Sequence, residues 1–155
     1  MREIKFRYVL KVYNTSRDDS AYYEWLELKI FTLNELENNG LNKWILKNCE
    51  GVIETIAKDQ WTGLKDKNRK EIFEGDIVRG GISYDWRENE TGIVEFGLFE
   101  SDNSGDEYGS NEVCGWNIKA IKLEDEDDRV TGEFIWKKLR IIGNIYENPE
   151  LLEKK

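Results

Sequence analysis

The 155-residue chain has no histidine, a single proline, two cysteines and one methionine. Without an imidazole, a serine or cysteine nucleophile lacks its usual base, and a zinc site loses its commonest nitrogen ligand. Cys49 and Cys114 stand 65 positions apart, outside any C-x-x-C spacing. Two sulfurs fall short of the about four ligands that zinc takes. Both are read as packed thiols rather than a disulfide, which a reducing cytoplasm does not sustain. No apolar run approaches the ~20 residues of a membrane helix, and the opening MREIKFR lacks the apolar core of an export signal. A cytoplasmic location is therefore the expectation. Also missing are a Pro- or Ser-rich linker, a fixed-period repeat, and the glycine patterns of a Walker loop or a dinucleotide fold.

Cations are scarce in one region. The chain carries 23 Lys and Arg against 32 Asp and Glu, a net charge of −9. Residues 99–128 hold ten acids (Glu100, Asp102, Asp106, Glu107, Glu112, Glu124, Asp125, Glu126, Asp127 and Asp128) and only Lys119 and Lys122 as bases. That stretch is −8, which leaves −1 for everything else. An isoelectric point near 4.7 argues against broad binding of a phosphate backbone, although the balanced remainder has room for a local basic face. The run 124–128 is read as a solvated turn. What is present in quantity is core material: 39% hydrophobic and 12% aromatic residues, enough for a packed interior.

Along residues 3–13 the chain alternates, with Ile4, Phe6, Tyr8, Leu10 and Val12 on one face and Glu3, Lys5, Arg7 and Lys11 opposite. Such a pattern predicts a strand with one buried face. After a polar turn at 14–20, residues 21–33 read as its partner strand, because Trp25, Leu26, Leu28, Ile30 and Phe31 suit a sheet; an amphipathic helix is the competing reading. Residues 35–40 suggest a short helix or turn closed by Gly40, and 44–46 and 52–57 two further short strands. From residue 60 onward, 61–64 and 71–73 predict a hairpin around the polar turn 65–70. Glu74-Gly75-Asp76 forms a tight corner into Ile77-Val78. Strands follow at 92–99, 113–123, 134–136 and 139–146. Asn148 as N-cap and Pro149 at the first helical position then predict a single terminal helical turn. Short strands with glycine corners point to a small barrel or sandwich. The expected fold class is all-β with minor helix, divided near 51–58 into an N-terminal β subdomain (1–57) and a second unit (58–155).

Chemistry-bearing patterns are few. The run DNSGD at 102–106 invites a calcium reading, but positions six and twelve of such a loop are Glu107 and Val113, where glycine and glutamate are required. Asp76 beside its corner is read as accepting hydrogen bonds from turn amides. With 32 acids in the chain, no carboxylate pair singles itself out for acid–base work. No catalytic residue, metal site or cofactor is therefore assigned. Two sets of residues are candidate contacts. Tyr8, Tyr22, Tyr23 and Trp25 place aromatics on more than one face of the first two strands, and exposed Tyr and Trp are enriched in interface hot spots; the alternative is a base-stacking platform served by Lys5, Arg7 and Lys11. Lys65, Lys67, Arg69 and Lys70 concentrate cations in one turn, opposed by Asp66 and Glu71. Because so thin a sheet needs a covering layer, a homodimer or a higher assembly is expected.

Three stretches carry a family resemblance: MREIKFR at 1–7, QWTGLKDKNRKEIFEGDIV at 60–78 and IGNIYENPELL at 142–152. In this order and spacing the chain resembles the YopX family of phage and prophage proteins. The resemblance implies an N-terminal β subdomain that associates with another copy, a C-terminal SH3-like barrel, and a gene carried by a phage or prophage of a bacterium. It supplies no activity and no catalytic residue. Arg69 stands where the family commonly has glycine, in a hairpin turn that wants a positive φ, and Phe73 stands where tyrosine is common. The expected function is a non-enzymatic binding or accessory module. It would act through protein–protein contacts with itself and with a phage or host protein. Nucleic-acid binding through the turn 65–70, or a carboxylate-based enzyme, are the alternatives.

Overall fold

The computed structural model describes residues 3–15, 22–48, 52–80, 90–101, 111–121 and 138–153. The molecule is mostly β: β1 (Lys5–Thr15), β2 (Tyr22–Thr32), β3 (Val52–Lys65), β4 (Glu71–Phe73), β5 (Asp76–Gly80), β6 (Glu90–Ser101), β7 (Asn111–Ala120) and β8 (Arg140–Asn144). Two short helices, α1 (Leu33–Glu37) and α2 (Gly40–Asn48), interrupt the strands. The strand orders are β2-β1-β3-β4 and β7-β6-β5-β8. The chain divides into two compact units, Met1–Gly63 and Leu64–Lys155. This division falls on β3 itself, beyond the expected 51–58. The reason is that 52–57 and 61–64, expected as separate strands, form one continuous strand of 14 residues.

In the first unit β1 is the central strand, antiparallel to both neighbours. Its burial corrects the expectation of one buried face, since Val9 and Leu10 point to opposite faces and both are fully buried. Arg7, expected among the solvated cations, is 6% exposed. It sits directly across from Asp59 of β3, and its Nε and Nη2 donate to Asp59 Oδ2 at 3.0 and 2.8 Å. Val9, two residues along on the same face, is fully buried, so the cation in this covered part of the face is held by a charge on the adjacent strand. A β-bulge adds Ile56 to β3 between the pairs Val9↔Ala57 and Leu10↔Thr55.

The strand expected at 44–46 is helix. Leu41, Trp44 and Ile45, all half-buried, follow the helical i, i+3, i+4 spacing, while Asn42, Lys43 and Lys47 are exposed; a three-residue apolar window hides that period. Gly40 opens α2 rather than closing α1. A capping box starts α1: Thr32 Oγ1 accepts from Glu35 N at 3.2 Å, and the Glu35 carboxylate accepts from Thr32 N at 2.7 Å. These hydrogen bonds, the backbone one first, lower the Glu35 pKa.

The second unit closes around Ile72, Val78, Val94, Ile118 and Leu139, with Leu64, Trp116 and Ile141 packed against them. β5 pairs with β6 only as far as Ile77↔Ile93, whereas β6 and β7 stay paired out to Ser101↔Asn111. Beyond Val94, therefore, β6 and β7 are paired only with each other among the described residues, and this outer part of the hairpin is termed the arm. The chain ends in a 3-10 turn, Pro149–Leu152, with Pro149 at its start as expected. Asn148 makes no side-chain cap; its Oδ1 instead accepts from Asn144 N at 3.4 Å. The expected strand 134–136, the acidic run 124–128, the 102–106 loop and Cys49 lie outside the described residues.

Candidate functional site

The four aromatic candidates separate once the register is known. Tyr8, Tyr23 and Trp25 share one face, since Tyr8 pairs with Lys29, Val12 with Trp25 and Asn14 with Tyr23. Tyr22 pairs with Thr15, and its side chain lies outside the described residues. Tyr8 belongs to internal packing: it is half-buried, edge-on to Phe31 at 5.8 Å between ring centroids, with Lys58 Nζ 5.7 Å above its ring. Tyr23 and Trp25 are different. They are 63% and 44% exposed, and they stand on β2, the edge of its sheet. Ile30 on the opposite face of β2 is 51% exposed, a residue whose exposure a buried-looking apolar strand pattern conceals.

The cations that a stacking platform would offer to phosphates are engaged within the sheet. Arg7 holds Asp59. Lys5 lies 3.2 Å from Glu3 and 4.8 Å above the Trp61 ring. Lys11 lies 3.0 Å from Glu24, and its hydrogen bond to that carboxylate raises its pKa. Tyr13 Oη donates to Glu54 at 2.8 Å, which raises the phenol pKa.

The four cations of the turn 65–70, Lys65, Lys67, Arg69 and Lys70, are all exposed. Asp66, read from sequence as opposing them, is turned inward and is 4% exposed. Its Oδ1 accepts from Asn68 N and Lys70 N at 2.8 and 2.9 Å, and its Oδ2 accepts from Ile141 N at 3.1 Å. One carboxylate thus ties the hairpin to the strand that closes the unit. Arg69 adopts φ +66°, the left-handed conformation expected for that position. An arginine there costs about 1 kcal/mol against glycine. Arg69→Gly is accordingly expected to raise the unfolding midpoint by a few degrees, a shift that calorimetry measures; a lowered midpoint would show that the Arg69 side chain contributes more than its backbone costs.

The corner at 74–76 and the terminal motif form one structural locus. Gly75, at φ +75°, donates to Val94 O at 2.9 Å and accepts from Ile145 N at 3.0 Å. A Cβ on it would stand 3.3 Å from Ile145 Cδ1, a tight fit that adds to the preference for glycine set by the left-handed turn. Asp76, 2% exposed, accepts from Phe73 N at 2.9 Å, the turn-amide bond read from sequence. Asn144 Oδ1 accepts from the Tyr146 and Glu147 amides at 3.0 and 2.9 Å, and any side chain on Gly143 would collide with Asn148. These residues hold one another rather than converging on an open site. Among the described residues, no group of three or more Cys, Asp or Glu could hold a metal ion, and no helix is long and apolar enough to cross a membrane. Cys114 is exposed.

The sequence profile of the YopX protein family matches residues 16–153. The chain belongs to the YopX family. The match takes in the stretches 60–78 and 142–152, whereas the opening stretch 1–7 lies ahead of it. No curated protein is significantly similar to the chain. Within this YopX-family member the two matched stretches meet physically: Asp76 pairs with Asn144, and Gly75 O accepts from Ile145 N. Asp66 adds a bond to Ile141, just ahead of the second stretch.

Proposed function

We propose that this YopX-family protein is a non-enzymatic binding or accessory module, phage- or prophage-encoded, that works through protein–protein contacts as a self-associated protein in the bacterial cytoplasm. The observation that carries this reading is the edge strand β2, eleven residues long and bearing exposed Tyr23, Trp25 and Ile30. A long apolar edge invites another strand. Two copies of β2 related by a two-fold axis through Leu28 align Leu26 with Ile30, Trp25 with Phe31, and Glu27 with Lys29 of the other copy. Such apolar and opposite-charge cross-strand pairs each contribute roughly 0.2–1 kcal/mol. Within one chain Glu27 and Lys29 already lie 2.8 Å apart on the same face, so the dimer would complete a four-charge ladder. The second unit, read as an SH3-like barrel, would present its loops to further partners.

Sedimentation equilibrium at tens of micromolar is expected to show a dimer or an assembly of dimers. Trp25→Asp, Glu27→Lys and Lys29→Glu should each weaken it at least several-fold, and the Glu27→Lys/Lys29→Glu swap should recover most of the loss. A monomeric wild-type protein would overturn the reading.

One observation favours nucleic-acid binding as the second reading: with the Asp66 carboxylate turned inward, the turn offers four exposed cations. On that reading Lys67→Glu with Arg69→Glu abolishes retention on single-stranded DNA in low salt, while the first reading expects no retention by either protein.

A further inference from the structure

The β6–β7 arm carries an apolar stripe that runs outward from the core. On one face of the hairpin the register sets Val94 opposite Ile118, Phe96 opposite Trp116 and Leu98 opposite Cys114. Val94 and Ile118 are fully buried, but Phe96 is 53% and Leu98 64% exposed, and Cys114 is exposed as well. Phe96 and Trp116 stack edge-to-face with ring centroids 5.0 Å apart, which holds the stripe in one shape. Among the described residues no strand beside β7 accompanies β6 at these outer positions, since β5 reaches only to Ile93. Solvated Phe and Leu side by side at the end of a core stripe are the signature of a contact surface.

The charge at the outer end of the arm selects its occupant. Between Phe99 and Val113, where the chain leaves β6 and returns as β7, the sequence has five acids (Glu100, Asp102, Asp106, Glu107 and Glu112) and no base. A second copy carries the same five acids, and nucleic acid shares their sign. We propose that the β6–β7 arm, through Phe96, Leu98 and Trp116, is a docking surface for a different protein, one that presents an apolar patch bordered by Lys and Arg. Apolar burial holds such a complex, and the opposed charges speed its formation and exclude acidic competitors. The stripe is formed by residues of β6 and β7 and uses none of β2, so the proposal stands whether or not β2 pairs with itself.

The test uses the full-length protein and two fluorescein-labelled amphipathic peptides with one identical Leu face. One has Lys and the other Glu on its polar face, and binding is read by fluorescence polarisation. The Lys peptide is expected to bind saturably, at least tenfold tighter than the Glu peptide, and to weaken as salt is raised. The deciding variant is Leu98→Asp. It adds a negative charge at a solvated position, so attraction by charge alone would leave binding of the Lys peptide unchanged or tighter, whereas docking on the stripe loses it at least tenfold. Phe96→Ser should act in the same direction without changing charge. Circular dichroism melts within a few degrees of wild type show that both variants fold. Equal binding of the two peptides, or undiminished binding of the Lys peptide by Leu98→Asp, would overturn the proposal. So would oligomerisation of the protein that Leu98→Asp abolishes, which would make a second copy the occupant.

Discussion

Asp59→Ala is expected to destabilise the first unit by about 3–5 kcal/mol, because it removes the carboxylate partner of a cation sealed in the sheet. Arg7 and Asp59 are 6% and 3% exposed and directly opposed on β1 and β3. Both side chains are shielded from water, 8% and 4% exposed, so the charge left behind stays buried. An exposed ion pair would behave differently, costing roughly 0–1 kcal/mol on removal. The contrast can be sharpened with a double replacement. Arg7→Met with Asp59→Leu buries no charge and fills similar volume, and its stability is expected to return close to that of wild type or above it. Urea denaturation followed by tryptophan fluorescence measures all three proteins. A loss under ~1 kcal/mol for Asp59→Ala alone would show that water reaches the pair.

Asp66→Ala is expected to cost a comparable amount, about 3–5 kcal/mol, because three amide donors lose one buried acceptor group. The asymmetry between its two oxygens gives a finer test. Oδ1 serves Asn68 and Lys70 within the hairpin, whereas Oδ2 serves Ile141, 75 residues away. In Asp66→Asn the amide oxygen keeps the hairpin bonds and the new NH2 group faces the Ile141 amide, donor against donor. The variant should therefore lose only part of the stability, about 1–3 kcal/mol. Hydrogen exchange should accelerate at the Ile141 amide while Asn68 and Lys70 stay protected. Equal acceleration at all three would mean that the carboxylate acts as a single charge rather than as two directed acceptors.

Much of this fold is written locally. The alternation of residues 3–13, the corner Glu74-Gly75-Asp76, the left-handed position occupied by Arg69 and the proline that begins the last turn each depend on a few neighbouring residues. Backbone sterics and turn hydrogen bonds act over that range, so sequence spacing conveys them. The helix α2 escaped because three apolar letters, Trp44 to Leu46, fit either period when the flanking Leu41 is left out. The length of β3 escaped because the polar run Lys58-Asp59-Gln60 reads as a break, yet the strand passes through it with Asp59 buried against Arg7.

Other features were decided by neighbours distant in the chain. Arg7 looks like any surface cation until Asp59, 52 residues away, becomes its partner. Asp66 looks like an opposing charge in a basic turn until it faces Ile141. Tyr8 and Trp25 look alike, but one lies under Lys58 against Phe31 and the other stands on an edge. The stripe of Phe96 and Leu98 reads as core, yet both side chains are exposed. The all-β class, the family, the turns and the lack of histidine chemistry follow from composition and from contacts within a few residues. Which charges are buried and which aromatics stay exposed depends on strands that pair across tens of residues, so neither can be read before the chain is folded.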